Sequence, residues 1–413
     1  MRILYLPAYF TPEKTASSYL GENRNKAFID AGFDMIAYTP TPCRGISADE
    51  RRKYCAKEYK RELLYDGHFD LNRFPLYAEG TNPMMRAIRY LLCLSIQLWK
   101  GLKTKNIDVI YLASTPPIQG VLGAILKIIK KVPFVYNLQD IFPDSLVGTG
   151  LVNNKSGLVW RIGRIIENFT YRHADKIIVI SEDFKKNILF KGVPAEKVIV
   201  VYNWVDQNAV SSIDRKDNIL FDRYGLNRND FFVTYSGNIG LTQNMDLLLD
   251  VAKDLEGNDE IQFVLIGEGA YVEHVKEIIN RDKIKNVILL PFQPYEDISH
   301  VFSLGDVGII ISKPGVGENS MPSKTWSIMS ASRPVLANFD ENEIKTIINQ
   351  NKCGVFTKAG DKKAFTEAII ELYRNRNLCR KYGENGRKFV LENLAMESAT
   401  QKYVDVMMSV VKR

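Results

Sequence analysis

The chain has 413 residues and a mass of 47.1 kDa, which is enough for two domains. Its composition, with 46% apolar, 11% aromatic and 25% charged residues, excludes a disordered, collagenous or disulfide-stapled chain. The net charge of +7 is uneven, because residues 1–207 carry 29 Lys and Arg against 20 Asp and Glu, whereas residues 208–413 carry 26 against 28. The basic first half favours an anionic partner, such as a membrane surface, a phosphorylated lipid or a nucleic acid.

The cysteines and histidines argue against a metal site. The five cysteines are widely spaced and contain no CxxC pair, and only four histidines are present. This pattern predicts a reducing, cytoplasmic environment and no structural zinc. The apolar run at the N-terminus reaches Pro7 at once and is too short for a signal peptide, so we predict a first β-strand there.

Short β-rich apolar runs alternate with amphipathic segments along the whole chain, which predicts an α/β protein with parallel strands. The predicted strands are 2–6, 34–38, 109–112, 134–138, 176–180 and 198–202, followed by 232–236, 262–266, 287–290, 307–311, 334–337 and 354–356. The polar stretch 206–227 is the predicted linker. We expect two Rossmann-like domains, 1–207 and 208–390, with a C-terminal helix in 391–413 that packs back on the first.

Two apolar segments of the first half are candidates for helices. Residues 84–102 have apolar side chains at helical spacing, with Arg86, Arg89 and Lys100 around the ends and Trp99 beside Lys100. This segment fits either an interfacial helix that docks on a membrane or a buried crossover helix. Residues 120–131 are apolar with a basic end, which favours a core helix with a cationic C-terminus.

Two glycine-containing motifs of the second half lie where predicted strands end. The first, Ser236-Gly237-Asn238-Ile239-Gly240, precedes a predicted helix, so its backbone is suited to approach a phosphate. It lacks the spacing G-x-G-x-x-G, which disfavours a nicotinamide or flavin enzyme. The second is Gly267-Glu268-Gly269, after the strand 262–266. Each motif alone also fits an ordinary strand-to-helix turn.

Two further loops carry candidate binding groups. The loop 291–294 has backbone groups available to read a flat base. In the segment 313–337, Pro322-Ser323-Lys324 opens a helix, so Ser323, Lys324 and the first-turn amides are placed to hold a diphosphate. Glu318 lies in the loop before this helix, so we expect its carboxylate to be close enough to accept hydrogen bonds from the sugar hydroxyls of the donor. We expect Lys324 to be exposed in an open cleft.

In this order, SGNIG, VLIGEG, LLPFQP and MPSKTWSIMSASRPVLA resemble the nucleotide-sugar domain of family 4 retaining glycosyltransferases of GT-B fold. The first half of the chain resembles the same family in three segments, LYLPAYFTPE, LQDIFPDSLVGTG and YRHADKIIVISEDFKKNILFKGVPAEKVIVVYNWVD. The resemblance spans nearly the whole chain and implies two Rossmann-like domains facing across a cleft. It is greatest to bacterial enzymes that extend polysaccharide repeat units on a polyprenyl-diphosphate carrier.

The resemblance also implies roles for individual residues. The catalytic residues would be Asp140 and Glu318. The donor would be held by Gly237, Asn238, Gly240, Phe292, Gln293, Ser323, Lys324, Asp340 and Glu341, and the acceptor by Glu13, Ser17 and Asp144.

The chain departs from the family pattern in both halves. The arginine and lysine that commonly follow the glycine turn are absent, with Leu241 and Gln243 in that region. Asn319 and Ser327 stand where the family has its two glutamates, so Glu318 acts only if the loop shifts by one residue. Asp340 or Glu341 would then hold the ribose. Gln139 stands where the acceptor-side loop of the family has a histidine.

The expected activity is hexosyl transfer with retention, from a UDP-sugar to a polyprenyl-diphosphate-linked saccharide of a bacterial surface polysaccharide. The sugar would be an N-acetylated or deoxy amino sugar. Because no D-x-D pair occurs, we expect neither metal nor cofactor besides the UDP-sugar. The protein would lie on the inner face of the cytoplasmic membrane, with its N-terminal domain against anionic lipid and no nucleic-acid partner. A non-hydrolysing nucleotide-sugar epimerase, a nucleic-acid-binding module and a catalytically silent membrane scaffold are the alternatives.

Overall fold

The computed structural model describes residues 1–13, 18–80, 82–144, 157–206, 209–318 and 320–411. The chain divides into two compact units. Unit 1 comprises Met1–Tyr202 and Glu397–Arg413, and unit 2 comprises Asn203–Met396.

Unit 1 alternates strands and helices over the first 200 residues. Its strands are β1 Arg2–Tyr5, β2 Asp34–Pro40, β3 Arg61–Leu64, β4 Phe69–Phe74, β5 Val109–Ala113, β6 Phe134–Leu138, β7 Lys176–Val179 and β8 Val198–Val200. Its helices are α1 Ser18–Asp30, α2 Ala48–Lys53, α3 Pro83–Lys103, α4 Gln119–Lys130, α5 Leu158–His173 and α6 Glu182–Phe190.

The described strands of unit 1 form one sheet in the order β3-β4-β2-β1-β5-β6-β7-β8, in which β3 alone is antiparallel to its neighbour. Central strands such as β6 are buried along their whole length, as their continuous apolar sequences predict for a parallel sheet covered on both faces. The hairpin of β3 and β4 is absent from our strand prediction. Its signal is the pair Asp66-Gly67 between the strands, where both residues have positive φ.

Unit 2 contains six strands and eight complete helices among its described residues. The strands are β9 Phe231–Ser236, β10 Ile261–Ile266, β11 Val287–Leu290, β12 Val307–Ile311, β13 Val335–Phe339 and β14 Gly354–Lys358. The helices are α7 Ile219–Tyr224, α8 Met245–Asp254, α9 Val272–Asp282, α10 Ile298–Phe302, α11 Lys324–Ser330, α12 Glu343–Asn351, α13 Lys362–Arg374 and α14 Arg376–Asn393. The predicted linker 206–227 therefore already contains the first helix of unit 2.

The sheet of unit 2 is parallel in the order β11-β10-β9-β12-β13-β14. Its main core contains strand residues such as Val233, Phe263 and Ile309 together with Leu248 and Val251 of α8. Buried apolar side chains recur at every second residue along the strands and at every third or fourth residue along the helix.

The chain returns to unit 1 with α15, Met396–Val411. The Tyr403 hydroxyl donates a hydrogen bond to Asn137 Oδ1 over 3.1 Å, at the end of β6. The segment 391–413 is thus two pieces, since its first residues complete α14 and the following helix joins unit 1.

Candidate functional site

The candidate donor site lies where the strand order of unit 2 reverses. From β9 the chain adds β10 and β11 on one side, and it then places β12, β13 and β14 on the other. Ligands of open α/β sheets bind beyond the carboxyl ends of the strands at such a point. The Lys313 amide after β12 donates a hydrogen bond to the Thr242 carbonyl after β9 over 2.9 Å. Two of the sequence-predicted motifs therefore meet here.

The glycine motifs after β9 and β10 pack backbone against backbone. The Gly237 amide donates to the Ile266 carbonyl over 2.9 Å, and the Ile239 amide donates to the Glu268 carbonyl over 2.8 Å. A Cβ added at Gly267 would lie 1.9 Å from the Gly237 carbonyl oxygen, and φ there is +153°. At Gly269 an added Cβ would lie 2.3 Å from the Ile239 oxygen. These glycines are required because no side chain fits between the two loops.

The loop after β9 is also held by its own residues. The Tyr235 hydroxyl donates to the Asn238 carbonyl over 2.6 Å. The Gly240 amide donates to Gln243 Oε1 over 3.0 Å. The predicted donor residues Gly237, Asn238 and Gly240 thus lie on a preformed loop, and α8 follows it.

Lys324, the first residue of α11, is half-buried beside this loop. Its Nζ lies 3.8 Å from the centre of the Tyr235 ring and 3.0 Å from the position that a Cβ at Gly237 would take. Within the described ranges, no carboxylate forms an ion pair with Lys324. Burial lowers the pKa of Lys324 to about 7. The expectation of an exposed lysine is therefore wrong, because Tyr235 and the glycine loop cover the ammonium group.

A desolvated ammonium group without a counter-charge favours a bound anion. Tyr235, the aromatic partner of Lys324, is absent from the predicted site residues. Its signal was its position two residues before Gly237, on a strand that ends at the site.

The remaining predicted phosphate residue, Ser323, precedes α11 and is half-buried. Its side chain makes no capping hydrogen bond, and its carbonyl accepts one from the Trp326 amide over 3.1 Å. The Ser323 hydroxyl thus takes no part in starting the helix. Its predicted phosphate contact stays a prediction.

Asp340 shapes the loop that carries Glu318. Its Oδ1 accepts a hydrogen bond from the Gly315 amide over 3.0 Å, and its Oδ2 accepts one from the Gly317 amide over 2.7 Å. Both oxygens of Asp340 thus hold this loop, and its predicted contact with ribose hydroxyls stays a prediction. Glu341 is exposed and pairs with Lys345 over 2.8 Å. Glu318 is exposed, and Asn319 lies outside the described residues.

The two predicted base-binding residues of the loop after β11 differ in exposure. Phe292 is 65% exposed, whereas Gln293 is 6% exposed. Gln293 Oε1 accepts from Arg223 over 3.0 Å, and its Nε2 donates to the Pro291 carbonyl over 2.6 Å. The Gln293 side chain therefore stabilises the loop instead of pointing to a base, and Phe292 remains the candidate for stacking.

Two predicted acceptor residues of unit 1 are buried and fully engaged. Glu13 Oε1 accepts from the Cys43 and Arg44 amides over 2.9 and 3.0 Å, and its Oε2 accepts from the Phe10 amide over 2.9 Å. Glu13 therefore ties the loop after β1 to the loop after β2, and its expected contact with an acceptor is corrected on that ground.

Asp144 pairs with Lys191 over 2.7 Å, and Lys191 pairs with Glu167 over 2.8 Å. All three side chains are less than 10% exposed. Asp144 is thus part of a buried ionic cluster and not an open acceptor contact. Ser17, the third predicted acceptor residue, lies outside the described residues.

Asp140 is exposed at the carboxyl end of β6. It borders a small cavity that is also lined by Tyr136, Phe142 and Tyr171. The neighbouring Gln139 amide donates to Ser114 Oγ over 2.9 Å, which fixes the backbone just before Asp140. This position leaves the carboxylate accessible to a ligand, and its catalytic role stays a prediction.

The described residues also bear on metal binding and on membrane insertion. They contain no group of three or more His, Cys, Asp or Glu side chains that could hold a metal ion. None of their helices is both long and apolar enough to cross a bilayer.

Comparisons with known proteins agree with this geometry. Residues 26–209 match the sequence model of Glycosyltransferase Family 4, and residues 216–389 match that of Glycosyl transferases group 1. The probable glycosyltransferase WbjE of Pseudomonas aeruginosa is 24% identical over 73% of this chain and 73% of its own. The putative colanic acid biosynthesis glycosyl transferase WcaI of Escherichia coli is 23% identical over 80% of this chain and 81% of its own.

A solved structure with the same fold is HepE of Anabaena in complex with UDP. It superposes with a TM-score of 0.74 at 16% identity, over 99% of this chain and 100% of its own. The two family models together span most of the chain, and both units have the parallel-sheet architecture of the GT-B fold. The chain therefore belongs to the group 1 and family 4 glycosyltransferases of GT-B fold, and it is a glycosyltransferase.

Proposed function

We propose that the chain transfers a sugar from a UDP-sugar to a polyprenyl-diphosphate-linked saccharide in the synthesis of a bacterial surface polysaccharide. The observation that carries the donor half of this proposal is Lys324, an uncompensated ammonium group beside the glycine loops of unit 2. The complex of HepE with UDP and the name of WcaI support the choice of nucleotide and pathway class.

In the proposed reaction, an acceptor hydroxyl forms a bond to the anomeric carbon while the bond from that carbon to the β-phosphate breaks. The electron pair leaves with UDP, so negative charge grows on the diphosphate. A positive group already in place stabilises that charge without reorganisation. Lys324 would supply it, since its ammonium group has no carboxylate partner among the described residues.

Asp140 is the proposed group that orients the acceptor hydroxyl and takes its proton. It is exposed at a strand end and borders a cavity, in contrast to Glu13 and Asp144. We expect Asp140→Asn to lower transfer by roughly 100-fold or more while UDP binding is retained. Loss of UDP binding in this variant would instead assign Asp140 to the architecture of the unit.

We also infer that the configuration of the sugar is retained and that the acceptor is linked to a lipid. The basic excess of residues 1–207 suits an anionic lipid diphosphate at an anionic membrane. The catalytic centre would then work on the cytoplasmic face, where nucleotide sugars are found.

The test is incubation with a panel of UDP- and GDP-sugars and a short-chain lipid-diphosphate acceptor, with the product mass read by mass spectrometry. We expect the mass of the acceptor to rise by one hexosyl unit when a UDP-sugar is supplied. Release of a free sugar epimer without acceptor would favour the epimerase alternative. Absence of turnover with every donor would favour the silent scaffold.

A further inference from the structure

Helix α3 of unit 1 turns its apolar side outward. Exposed apolar side chains follow one another at helical spacing along its outer face, with Met84 at 73% and Leu91 at 55% exposure. Among the side chains of α3 that the structure describes, the large exposed apolar ones are Met84, Met85, Ile88, Leu91, Leu92, Trp99 and Leu102. Since 100° separates successive helical residues, these seven lie within an arc of about 120°. A helix on the surface of a water-soluble protein normally shows the opposite arrangement.

The inner side of α3 contains buried polar side chains that form hydrogen bonds with the rest of the unit. Gln97 is completely buried and donates to the Pro7 and Tyr38 carbonyls over 2.9 Å each. Arg89 is completely buried and donates to the Tyr77 carbonyl over 3.0 Å. These bonds fix the rotation of α3, so the helix cannot turn its apolar face towards the core without leaving polar groups unpaired.

The charge around this face is mostly basic, although Glu79 pairs with Arg86 of α3 and Asp175 pairs with Lys127 of α4. Residues 80–139 contain eight Lys and Arg but a single acidic residue, Asp108, whose carboxylate accepts a hydrogen bond from the Arg2 amide. At the C-terminal end of α3, Lys103 Nζ lies 3.8 Å from the centre of the exposed Trp99 ring. Lys130 of α4 donates to the Leu102 and Thr104 carbonyls, which places the end of α4 beside the end of α3. That end of α4 exposes Ile128 and Ile129.

We infer that the outer face of α3, with the C-terminal end of α4, docks on an anionic lipid bilayer. Its apolar side chains and Trp99 would enter the interface, with Lys103 and Lys131 against lipid phosphates. This inference deepens the proposed function, because a polyprenyl-diphosphate acceptor is confined to that surface.

Charge also argues against a second copy of the chain as the occupant. A two-fold contact through α3 would bring the lysines of one copy against those of the other, while Asp108 and Asp175 are already engaged by the Arg2 amide and Lys127. An anionic bilayer has an apolar interior and a negatively charged surface. These two properties match the apolar side chains and the lysines of this face.

The test uses Trp99 as a reporter in the full chain. Two other tryptophans, Trp204 and Trp326, are 1% exposed and Trp160 is half-buried, whereas Trp99 is 55% exposed. Vesicles of phosphatidylcholine and phosphatidylglycerol with brominated acyl chains should quench its fluorescence. The quenching should be lost in Trp99→Phe and with pure phosphatidylcholine.

The paired variant Ile88→Glu with Leu91→Glu should weaken vesicle binding by about tenfold or more. The control is Leu391→Glu, at a comparably exposed leucine of unit 2, which should bind vesicles as the unmodified protein does. UDP binding is measured in parallel, so that failure of docking and failure of the donor site are distinguished. Quenching that is absent, or that persists in the paired variant, would overturn the inference. So would a stable dimer that the paired variant dissociates.

Discussion

Glu13 and Asp144 of unit 1 and Lys324 of unit 2 are charged side chains withdrawn from water, and they differ in whether the fold supplies a partner. In unit 1, Glu13 accepts hydrogen bonds from three backbone amides, and Asp144 pairs with Lys191 inside a buried cluster. In unit 2, Lys324 lies between an aromatic ring and a glycine loop with no anion beside it in the described structure. A charge that the fold compensates serves the fold, whereas a desolvated charge that the fold leaves uncompensated is available to a ligand.

The largest expected effect is on the stability of unit 1. Lys191→Met removes the cation that Asp144 and Glu167 share, although Arg164 still pairs with Glu167. We expect the free energy of unfolding to fall by about 3–5 kcal/mol. Chemical denaturation measures it, with Lys185→Met as a control because Lys185 forms only a partly exposed pair with Glu182. Equal effects of the two substitutions would contradict the contrast between the buried cluster and surface pairs.

The next effect is on catalysis in unit 2. Lys324→Met should lower turnover by roughly 100- to 1000-fold, as the loss of one preorganised charge-stabilising group does. Stability should be unchanged or slightly higher, because the variant no longer buries an ammonium group. Lys363→Met, at an exposed lysine of the same unit, is the matched control. Turnover near that of the unmodified enzyme would remove Lys324 from the donor site.

A smaller effect is expected from disturbing the glycine loops. In Gly269→Ala the new Cβ would meet the Ile239 carbonyl oxygen, at a φ of +155° that alanine does not favour. We expect a loss of about 1–3 kcal/mol in stability together with weaker UDP binding, because the loop beside Lys324 must shift. Calorimetry and UDP titration measure both quantities. Gly257→Ala is the control, since its Cβ would point into open space. If Gly269→Ala bound UDP normally despite its lower stability, the two glycine loops would not position the donor.

The sequence shows the elements of this fold better than their contacts. All twelve predicted strands are present, because buried parallel strands appear as continuous apolar runs between turn residues. The hairpin of β3 and β4 escaped prediction because its short strands carry charged residues such as Arg61, Glu62 and Asp70.

Whether an individual site residue is exposed or already hydrogen-bonded could not be predicted in the same way. Glu13 is engaged by amides 30 residues away, and Gln293 by Arg223, which is 70 residues away. Whether a polar side chain is open or engaged therefore depends on partners that the local pattern does not contain. The same holds for Lys324, since its burial by Tyr235 follows from strand order and not from its neighbours in sequence.

The most direct test of whether Lys324 holds the donor diphosphate is the number of protons that the protein takes up when UDP binds. This number is measured by titration calorimetry at pH 8 in two buffers of different ionisation enthalpy. With its pKa lowered to about 7, Lys324 is mostly neutral at that pH in the free protein. A diphosphate beside it favours the charged form and raises the pKa, so binding should take up most of one proton. Lys324→Arg should bind UDP without this uptake, because arginine remains charged. Equal heats in both buffers for the unmodified protein would contradict the assignment of Lys324 to the donor diphosphate.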